Sequence, residues 1–245
     1  SVTGEKGNVD KIYKRRSHLI RPPVANIDVL VIVAATADPE PDIFLIDKLL
    51  VVAEKSGITP IVCINKTDIK SGEAIRNTYE KAGYSVVCVC AKEEDGFSEL
   101  IPHIKDKTSA FAGLSGVGKS TILNVLTESR QETGEISDKI KRGKHTTRHV
   151  ELLQAVFGGY VLDTPGFSSF DTEQMDVLLK ENLQYAFSDF SEFIGKCQFH
   201  DCSHRKEPGC CVRQAAEQGN IEPSRYESYL KLYEKASQVK LWEIK

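Results

Sequence analysis

The glycine-rich segment at residues 113–120 constrains the fold more than any other part of this sequence. It reads GLSGVGKS and fits GxxxxGK(S/T), the pattern of a loop that binds phosphate. Such a loop needs a buried strand before it and a helix after it, because backbone N–H groups and the helix N-terminus then converge on the phosphate oxygens. An apolar run at 108–112 and a helical pattern at 119–127 meet both needs. The chain is therefore predicted to be an α/β protein with a mostly parallel sheet.

Strand-like and helix-like segments alternate through the first two thirds of the chain. Strands are predicted at 27–33, 61–64, 85–90, 108–112, 150–157 and 160–162, and helices at 41–56, 72–82, 97–104 and 119–127. The last two strands are expected to form a hairpin through Gly158 and Gly159. Such alternation covers both faces of a parallel sheet and leaves ligands to the loops at the carboxyl ends of its strands. After residue 172 the sequence becomes polar and cysteine-rich, and then helical.

Charge and cysteine usage exclude several classes of protein. The 245 residues carry 32 Lys and Arg against 35 Asp and Glu, and the net charge of −3 argues against a globally basic nucleic-acid binder while permitting local basic patches. No apolar run reaches about 18 residues, which excludes a transmembrane helix, and no signal-peptide pattern opens the chain. Of seven cysteines, three stand singly in strand-like runs and four crowd between 197 and 211. This distribution favours the cytoplasm and a metal site over a secreted disulfide framework.

The phosphate loop predicts a bound nucleotide with Mg²⁺. Lys119 should reach the β- and γ-phosphates and stabilise their charge during catalysis, and Ser120 should ligate Mg²⁺. The residues predicted to surround the phosphates are Gly113, Leu114, Ser115, Gly116, Val117, Gly118, Lys119, Ser120 and Thr121.

Residues 65–68, NKTD, follow the strand at 61–64 and predict guanine as the base. The Asp68 carboxylate can accept both N1–H and N2–H of guanine, a donor pair that adenine lacks, while the Asn65 amide can pair with N7 and the Lys66 stem can lie over the base. The backbone at Ala91, after the next strand, could donate to guanine O6. The predicted base site consists of Asn65, Lys66, Thr67, Asp68, Cys90, Ala91 and Lys92. GTP or GDP is the predicted ligand, and Asn65 and Asp68 disfavour an ATPase or kinase.

Two further segments have the pattern of nucleotide-sensing loops. In DTPG at 163–166, Asp163 is predicted to hold Mg²⁺ through water, and the Gly166 N–H to approach the γ-phosphate. One threonine of GKHTTR at 143–148 could complete the Mg²⁺ shell when GTP is bound. The stretch 139–148 holds five Lys and Arg residues, so it could instead be a solvated basic loop that touches RNA phosphate.

In this order the motifs resemble those of the circularly permuted GTPases that act on the small ribosomal subunit, the RsgA/YjeQ family. NKTD and CAK (90–92) precede the phosphate loop, His-Thr-Thr (145–147) and DTPG, whereas in ordinary GTPases they follow them. Permutation is compatible with one site because its loops converge in space and domain termini often lie close together. The resemblance covers nearly the whole chain, including RPPVAN at 21–26 and the cysteine-rich end.

The resemblance implies a domain organisation and a function. Residues 1–22 would be the incomplete tail of an N-terminal OB-fold barrel that binds RNA, 23–172 a permuted GTPase domain, and 173–245 a small helical zinc-binding domain. The implied activity is GTP hydrolysis in late maturation of the small ribosomal subunit, stimulated by that subunit and its rRNA, in a cytoplasmic monomer with no membrane partner. The alternative is a GTP-dependent RNA-binding switch whose hydrolysis is incidental. Cys90 stands where the family usually has Ser, which is expected to weaken a supporting hydroxyl bond.

The water-positioning residue departs from that of Ras-like enzymes. There a Gln just after DxxG positions the attacking water, but Phe167 occupies this place. The resemblance suggests His145 as the replacement, because an imidazole can orient or deprotonate water, and Thr147 as the Mg²⁺-binding threonine. The alternative is that His145 contacts only RNA or solvent. Slow intrinsic hydrolysis is expected, accelerated by a partner that orders 139–148.

The cysteine-rich end predicts one structural Zn²⁺ ion. Cys197, Cys202, His204 and Cys210 supply three thiolates and an imidazole, the donor set of a closed tetrahedral site. Cys211 and His200 are alternative ligands, and the spacing in the resembling family favours Cys210. Because DTPG leads directly into this unit, movement at Gly166 is hypothesised to reorient residues 173–245 as a body.

Overall fold

The computed structural model describes residues 2–3, 6–7, 11–19, 24–127, 151–163 and 180–238. Its strands are β1 (Val2–Thr3), β2 (Lys6–Gly7), β3 (His18–Leu19), β4 (Val24–Ala25), β5 (Val29–Ala35), β6 (Thr59–Asn65), β7 (Ser85–Cys88), β8 (Thr108–Ala112), β9 (Glu151–Gln154) and β10 (Tyr160–Asp163). Its α-helices are α1 (Ile43–Ser56), α2 (Glu73–Lys81), α3 (Phe97–Ile104), α4 (Lys119–Leu126), α5 (Cys211–Glu217) and α6 (Pro223–Gln238), and short 3-10 helices cover Leu183–Ala186 and Ser188–Phe190.

Six of these strands form one sheet in the order β7-β6-β5-β8-β10-β9. Neighbours run parallel except β9, which is antiparallel to β10. The predicted parallel sheet and its terminal hairpin are therefore confirmed. All seven residues of the central strand β5 are buried, as expected for a strand covered on both faces. The strand predicted at 85–90 ends at Cys88, because Cys90 pairs with Asp95 instead of continuing along β6.

Helices cover both faces of the sheet, and each face has its own apolar core. On one face α1 and α2 pack against the strands through buried residues such as Leu49, Leu50 and Tyr79. On the other face α3 and α4 do so through residues such as Leu100 and Ile122. The alternation read from the sequence thus yields the expected three-layer arrangement, with the loops at the carboxyl ends of the strands left uncovered by these helices.

The described part of residues 1–25 contains two short antiparallel pairs, β1 with β2 and β3 with β4. Two-residue strands of this kind do not establish a barrel, so the assignment of residues 1–22 to an OB-fold remains a prediction. None of the described helices is both long and apolar enough to span a lipid bilayer.

The C-terminal unit, residues 180–238, is helical and has a third core around Phe187, Phe190 and Tyr229. The rings of Phe187 and Tyr229 meet edge to face with centroids 5.4 Å apart. No strand is found within 180–238, in agreement with the sequence pattern.

A buried ion cluster fastens this unit to α1. Arg225 on α6 is 1% exposed, and it donates to Asp47 on α1 at 2.7 Å and to both oxygens of Asp189 at 2.9 and 2.6 Å. Outside the cluster, Lys81 on α2 pairs with Glu222 at 2.7 Å. The C-terminal unit therefore has a tightly packed contact with the sheet domain in addition to its covalent connection.

Candidate nucleotide and metal sites

The loops that the sequence analysis singled out meet at the carboxyl edge of the sheet. The phosphate loop lies between β8 and α4, the NKTD loop follows β6, and Cys90 follows β7. The side chain of Asn65 joins all three: its Nδ2 donates to the Val117 carbonyl at 2.8 Å, and its Oδ1 accepts from the Ala91 N–H at 3.0 Å. Residues separated by up to 52 positions are thereby held in one site.

These bonds give Asn65 a positioning task in addition to the predicted one. The NKTD pattern predicts that the Asn65 amide pairs with guanine N7 and the Ala91 N–H with guanine O6; in the structure the Asn65 Oδ1 accepts from the Ala91 N–H, and the base contacts stay predictions. The bond forms because Asn65 is 2% exposed, and a buried amide is costly unless its donor and acceptor find partners. Asn65 therefore positions the loops as well as belonging to the predicted base site.

The phosphate loop packs closely against the Asn65 side chain. Gly118, at φ +95°, has no room for a side chain, because a Cβ there would lie 2.3 Å from Asn65 Nδ2. Lys119 begins α4, and its Nζ donates to the carbonyls of Gly113 and Leu114 at 2.9 and 2.7 Å. The loop thus holds a cation beside the N-terminus of a helix, and both favour bound phosphate.

A segment that sequence reasoning missed, residues 36–42, braces the base loop. Thr36 follows β5, and its hydroxyl donates to the Lys66 carbonyl at 2.6 Å, where Lys66 has φ +64°. The Lys66 ammonium donates to the carbonyl of Asp38. The position of this segment at the carboxyl end of the central strand was the available signal, because ligand-binding loops of α/β sheets occur there.

Asp68 lies exposed at the end of the base loop, as a group that reads a base should. Beside it, Cys90 is almost fully buried. Burial raises the pKa of the Cys90 thiol, with the Asp68 carboxylate adding to the shift, so the thiol stays protonated and can donate to Asp68. A thiol is a weaker donor than a serine hydroxyl, so weakening of the supporting bond by Cys90 stays a prediction.

The predicted magnesium and switch residues are only partly described. Ser120 and Thr121 lie in the first turn of α4, and Asp163 ends β10, which runs parallel to β8 and so reaches the same edge of the sheet. Ser120 and the backbone of Asp163 therefore lie at the same edge of the sheet, and their role as Mg²⁺ ligands stays a prediction. His145, Thr147 and Gly166 lie outside the described residues, and their roles stay predictions.

The four predicted zinc ligands come together in the C-terminal unit. The ligand atoms of Cys197, Cys202, His204 and Cys210 all lie within 4.8 Å of one another. His204 Nδ1 is 3.6 Å from the Cys197 sulfur and 3.5 Å from the Cys210 sulfur. Three thiolates and one imidazole in a site with no open position fit a structural zinc ion.

The two alternative ligands are placed elsewhere. The Cys211 thiol contacts the Lys196 carbonyl at 3.0 Å, and His200 is exposed. Burial, with the neighbouring thiols, raises the pKa of Cys202 to about 12, so a cation is needed to keep this thiol deprotonated at neutral pH.

A second layer of contacts orients the histidine ligand. Gln184 Oε1 lies 2.7 Å from His204 Nε2, so Nε2 carries the proton and Nδ1 is left to face the sulfurs. Burial lowers the pKa of His204, which favours the neutral ring that binds a metal. Tyr226 and Tyr229 donate to the carbonyls of His204 and Ser203 at 2.8 and 3.0 Å and hold the ligand loop against α6.

Comparison with known proteins gives consistent matches. A family profile described as RsgA GTPase matches residues 12–173. The small ribosomal subunit biogenesis GTPase RsgA of Ruminiclostridium cellulolyticum is 46% identical over 237 residues, 95% of this chain and 77% of the relative. The protein of the same name from Caldanaerobacter subterraneus is also 46% identical, over 94% of this chain and 78% of the relative.

Two solved structures are similar over more than nine tenths of the chain. YjeQ from Thermotoga maritima has a TM-score of 0.76 at 35% identity, covering 94% of this chain and 79% of its own. YloQ, a circularly permuted GTPase, has a TM-score of 0.78 at 36% identity, covering 98% and 78%. The likeness therefore includes both the sheet domain and the C-terminal unit.

Proposed function

The chain belongs to the RsgA GTPase family and is a GTPase, and we propose that it hydrolyses GTP during biogenesis of the small ribosomal subunit. The observation that carries the proposal is the pair of hydrogen bonds made by the Asn65 side chain, which connects a predicted guanine-binding loop to a phosphate loop that follows it in the chain. The names of the relatives support the ribosomal role. They also favour hydrolysis over a switch whose hydrolysis is incidental.

Different residues of the chain bind the base and the phosphates. Asp68 accepts from guanine N1–H and N2–H, and the Lys66 stem covers the base. Lys119 and the N–H groups of 113–121 neutralise the phosphate charge. Ser120, Asp163 and Thr147 are proposed to hold Mg²⁺, which when bound withdraws charge from the phosphate oxygens. His145 is proposed to orient the attacking water, and ordering of 139–148 by the ribosomal subunit would place it.

The remaining parts of the proposal concern domains and partners. We assign residues 23–172 to the GTPase domain and 173–245 to a unit built around one zinc ion, and residues 1–22 to the end of an RNA-binding barrel. The partner is the small subunit through its rRNA, the protein acts as a monomer, and it works in the cytoplasm, where reduced cysteines can hold zinc.

The test is GTP hydrolysis by the chain alone, with small subunits and with large subunits. Stimulation by small subunits alone is expected, and equal rates in all three would contradict the ribosomal role. Asp68→Asn checks the base site, because it replaces the acceptor of guanine N1–H and N2–H with an amide. It should weaken GTP binding by about two orders of magnitude or more while xanthosine triphosphate, which has a carbonyl at C2, binds better than to the parent protein. Unchanged guanine preference would remove Asp68 from the base site.

A further inference from the structure

Thr36 is a buried polar residue outside all the motifs identified in the sequence, and it directly follows the central strand β5. Only 2% of its surface is exposed, and it makes two hydrogen bonds to one short stretch of chain. Its N–H donates to the Asn65 carbonyl at 3.0 Å, and its hydroxyl donates to the Lys66 carbonyl at 2.6 Å. Thr36 therefore binds the two carbonyls that lie on either side of the Lys66 Cα.

The Lys66 backbone has a conformation that needs such support. Its φ of +64° lies in the left-handed region, which a residue with a Cβ adopts at a cost and keeps only where its neighbours fix it. The same Lys66 carbonyl also accepts from the Ile69 N–H at 3.0 Å, which closes a turn over residues 66–69. Asp68, the predicted acceptor for guanine, is a central residue of this turn. One shared carbonyl therefore connects the Thr36 hydroxyl to the turn that presents the base-reading carboxylate.

Two other side-chain bonds hold the same loop, and both are weaker or more exposed. The Thr67 hydroxyl donates to the Val89 carbonyl at 3.2 Å, which is beyond the usual range of an O–H···O bond. The Lys66 ammonium donates to the Asp38 carbonyl where both groups are open to solvent. Exposed groups can turn to water when a bond is lost, whereas water does not readily replace a buried hydroxyl. Loss of the Thr36 hydroxyl should therefore loosen the turn more than loss of either other bond.

We propose that Thr36 is a positioning residue for guanine selection. By fixing the Lys66 carbonyl, it holds the 66–69 turn so that the Asp68 carboxylate accepts from N1–H and N2–H of guanine together. Two parallel hydrogen bonds to one carboxylate require a narrow geometry, so a small displacement of the turn weakens them. The phosphate contacts belong to a different loop, residues 113–121, and are less affected. The inference rests on the proposed function, in which NKTD reads guanine, and adds to it a residue outside that motif.

The test compares the affinities of the full chain for GDP and for inosine diphosphate (IDP), which lacks the 2-amino group, by calorimetric titration. The parent protein should prefer GDP by about 10- to 150-fold, because the bond that IDP lacks is made to a charged acceptor. Thr36→Val keeps the side-chain shape and removes the donor, so it should lower this preference by about 3- to 10-fold. Thr36→Ser keeps the donor and should retain the preference of the parent.

Thr78→Val is the matched control, because it makes the same chemical change at a distance from the base loop. The Thr78 hydroxyl donates to the Ala74 carbonyl at 3.0 Å within α2. This variant should select GDP over IDP as strongly as the parent does.

The outcomes separate this inference from the proposed function. An unchanged preference in Thr36→Val would overturn the inference, even if both nucleotides bound more weakly, because Thr36 would then support the whole site and not base selection. Retained IDP binding shows that a variant folds, and Thr36→Ala removes the same donor if the valine variant does not fold. A parent protein without preference for GDP would overturn both the base site at Asp68 and this inference. If small subunits fail to stimulate GTP hydrolysis while the nucleotide results hold, the ribosomal role is wrong and the role of Thr36 stands.

Discussion

Replacement of Asn65 by Ala tests whether one buried amide assembles the nucleotide site. The change leaves the Val117 carbonyl and the Ala91 N–H without their described partner. An unsatisfied buried group costs about 1–3 kcal/mol, so the two together amount to about 2–6 kcal/mol. Both groups belong to loops that water can reach once they separate, which favours the low end of the range, about 2 kcal/mol. That energy corresponds to about a 30-fold loss in affinity for GDP.

The assay is titration of a fluorescent GDP analogue into the parent protein and the variants. Asn65→Asp should lose affinity as well, because a carboxylate can still accept from Ala91 but cannot donate to the Val117 carbonyl. Asn77→Ala on the exposed face of α2 is the matched control and should bind like the parent. If Asn65→Ala binds GDP within twofold of the control, the loops are assembled by other contacts and the reasoning fails.

Two further predictions concern the C-terminal unit. Arg225→Met should lower the free energy of unfolding in urea by about 3–5 kcal/mol, because Asp47 and Asp189 lose their buried partner. Arg213→Met is the control, because the side chains of its pair with Glu217 are 32% and 65% exposed, and it should stay within about 1 kcal/mol of the parent. Equal losses would show that the buried cluster contributes little. Gln184→Ala should weaken zinc retention against a chelating dye by about 10-fold, because His204 loses the acceptor that orients its ring. Gln214→Ala, on the exposed side of α5, should retain zinc like the parent. Identical release curves for the two variants would show that the thiolates alone position the ion.

The Arg225 cluster also bears on movement of the C-terminal unit. Hinging at Gly166 is one hypothesis for how nucleotide state would reorient this unit. The structure adds a second connection, because α1 carries Asp47 in the buried cluster and begins directly after segment 36–42, which contacts Lys66. A unit that swivelled freely would have to expose Arg225 and its two carboxylates to water. The Arg225→Met variant therefore reports on this junction as well as on stability.

The features that the sequence determined by itself are those whose chemistry is local. The phosphate loop requires glycines, a lysine and a serine within eight consecutive residues, and the zinc ligands lie within fourteen residues of one another. The apolar patterns that predict strands and helices are local as well, because residues that face the core recur at a fixed spacing along each element. For this reason the sheet, the motif order and the zinc-ligand cluster were predictable from the residues, whereas the choice of Cys210 over Cys211 and His200 came from the resemblance to a known family.

The tertiary structure alone decided how distant residues satisfy one another. Asn65 belongs to a base-reading motif in the sequence, and its buried amide also bonds to the backbones of Val117 and Ala91, which no motif indicated. Arg225 pairs with a carboxylate 178 residues away, and neither residue belongs to a motif. Partners of this kind depend on which elements pack together, and a buried polar group must be satisfied by whatever the fold places beside it. The motifs thus specify the chemistry of the two sites, and the packing determines which residues hold those sites in place.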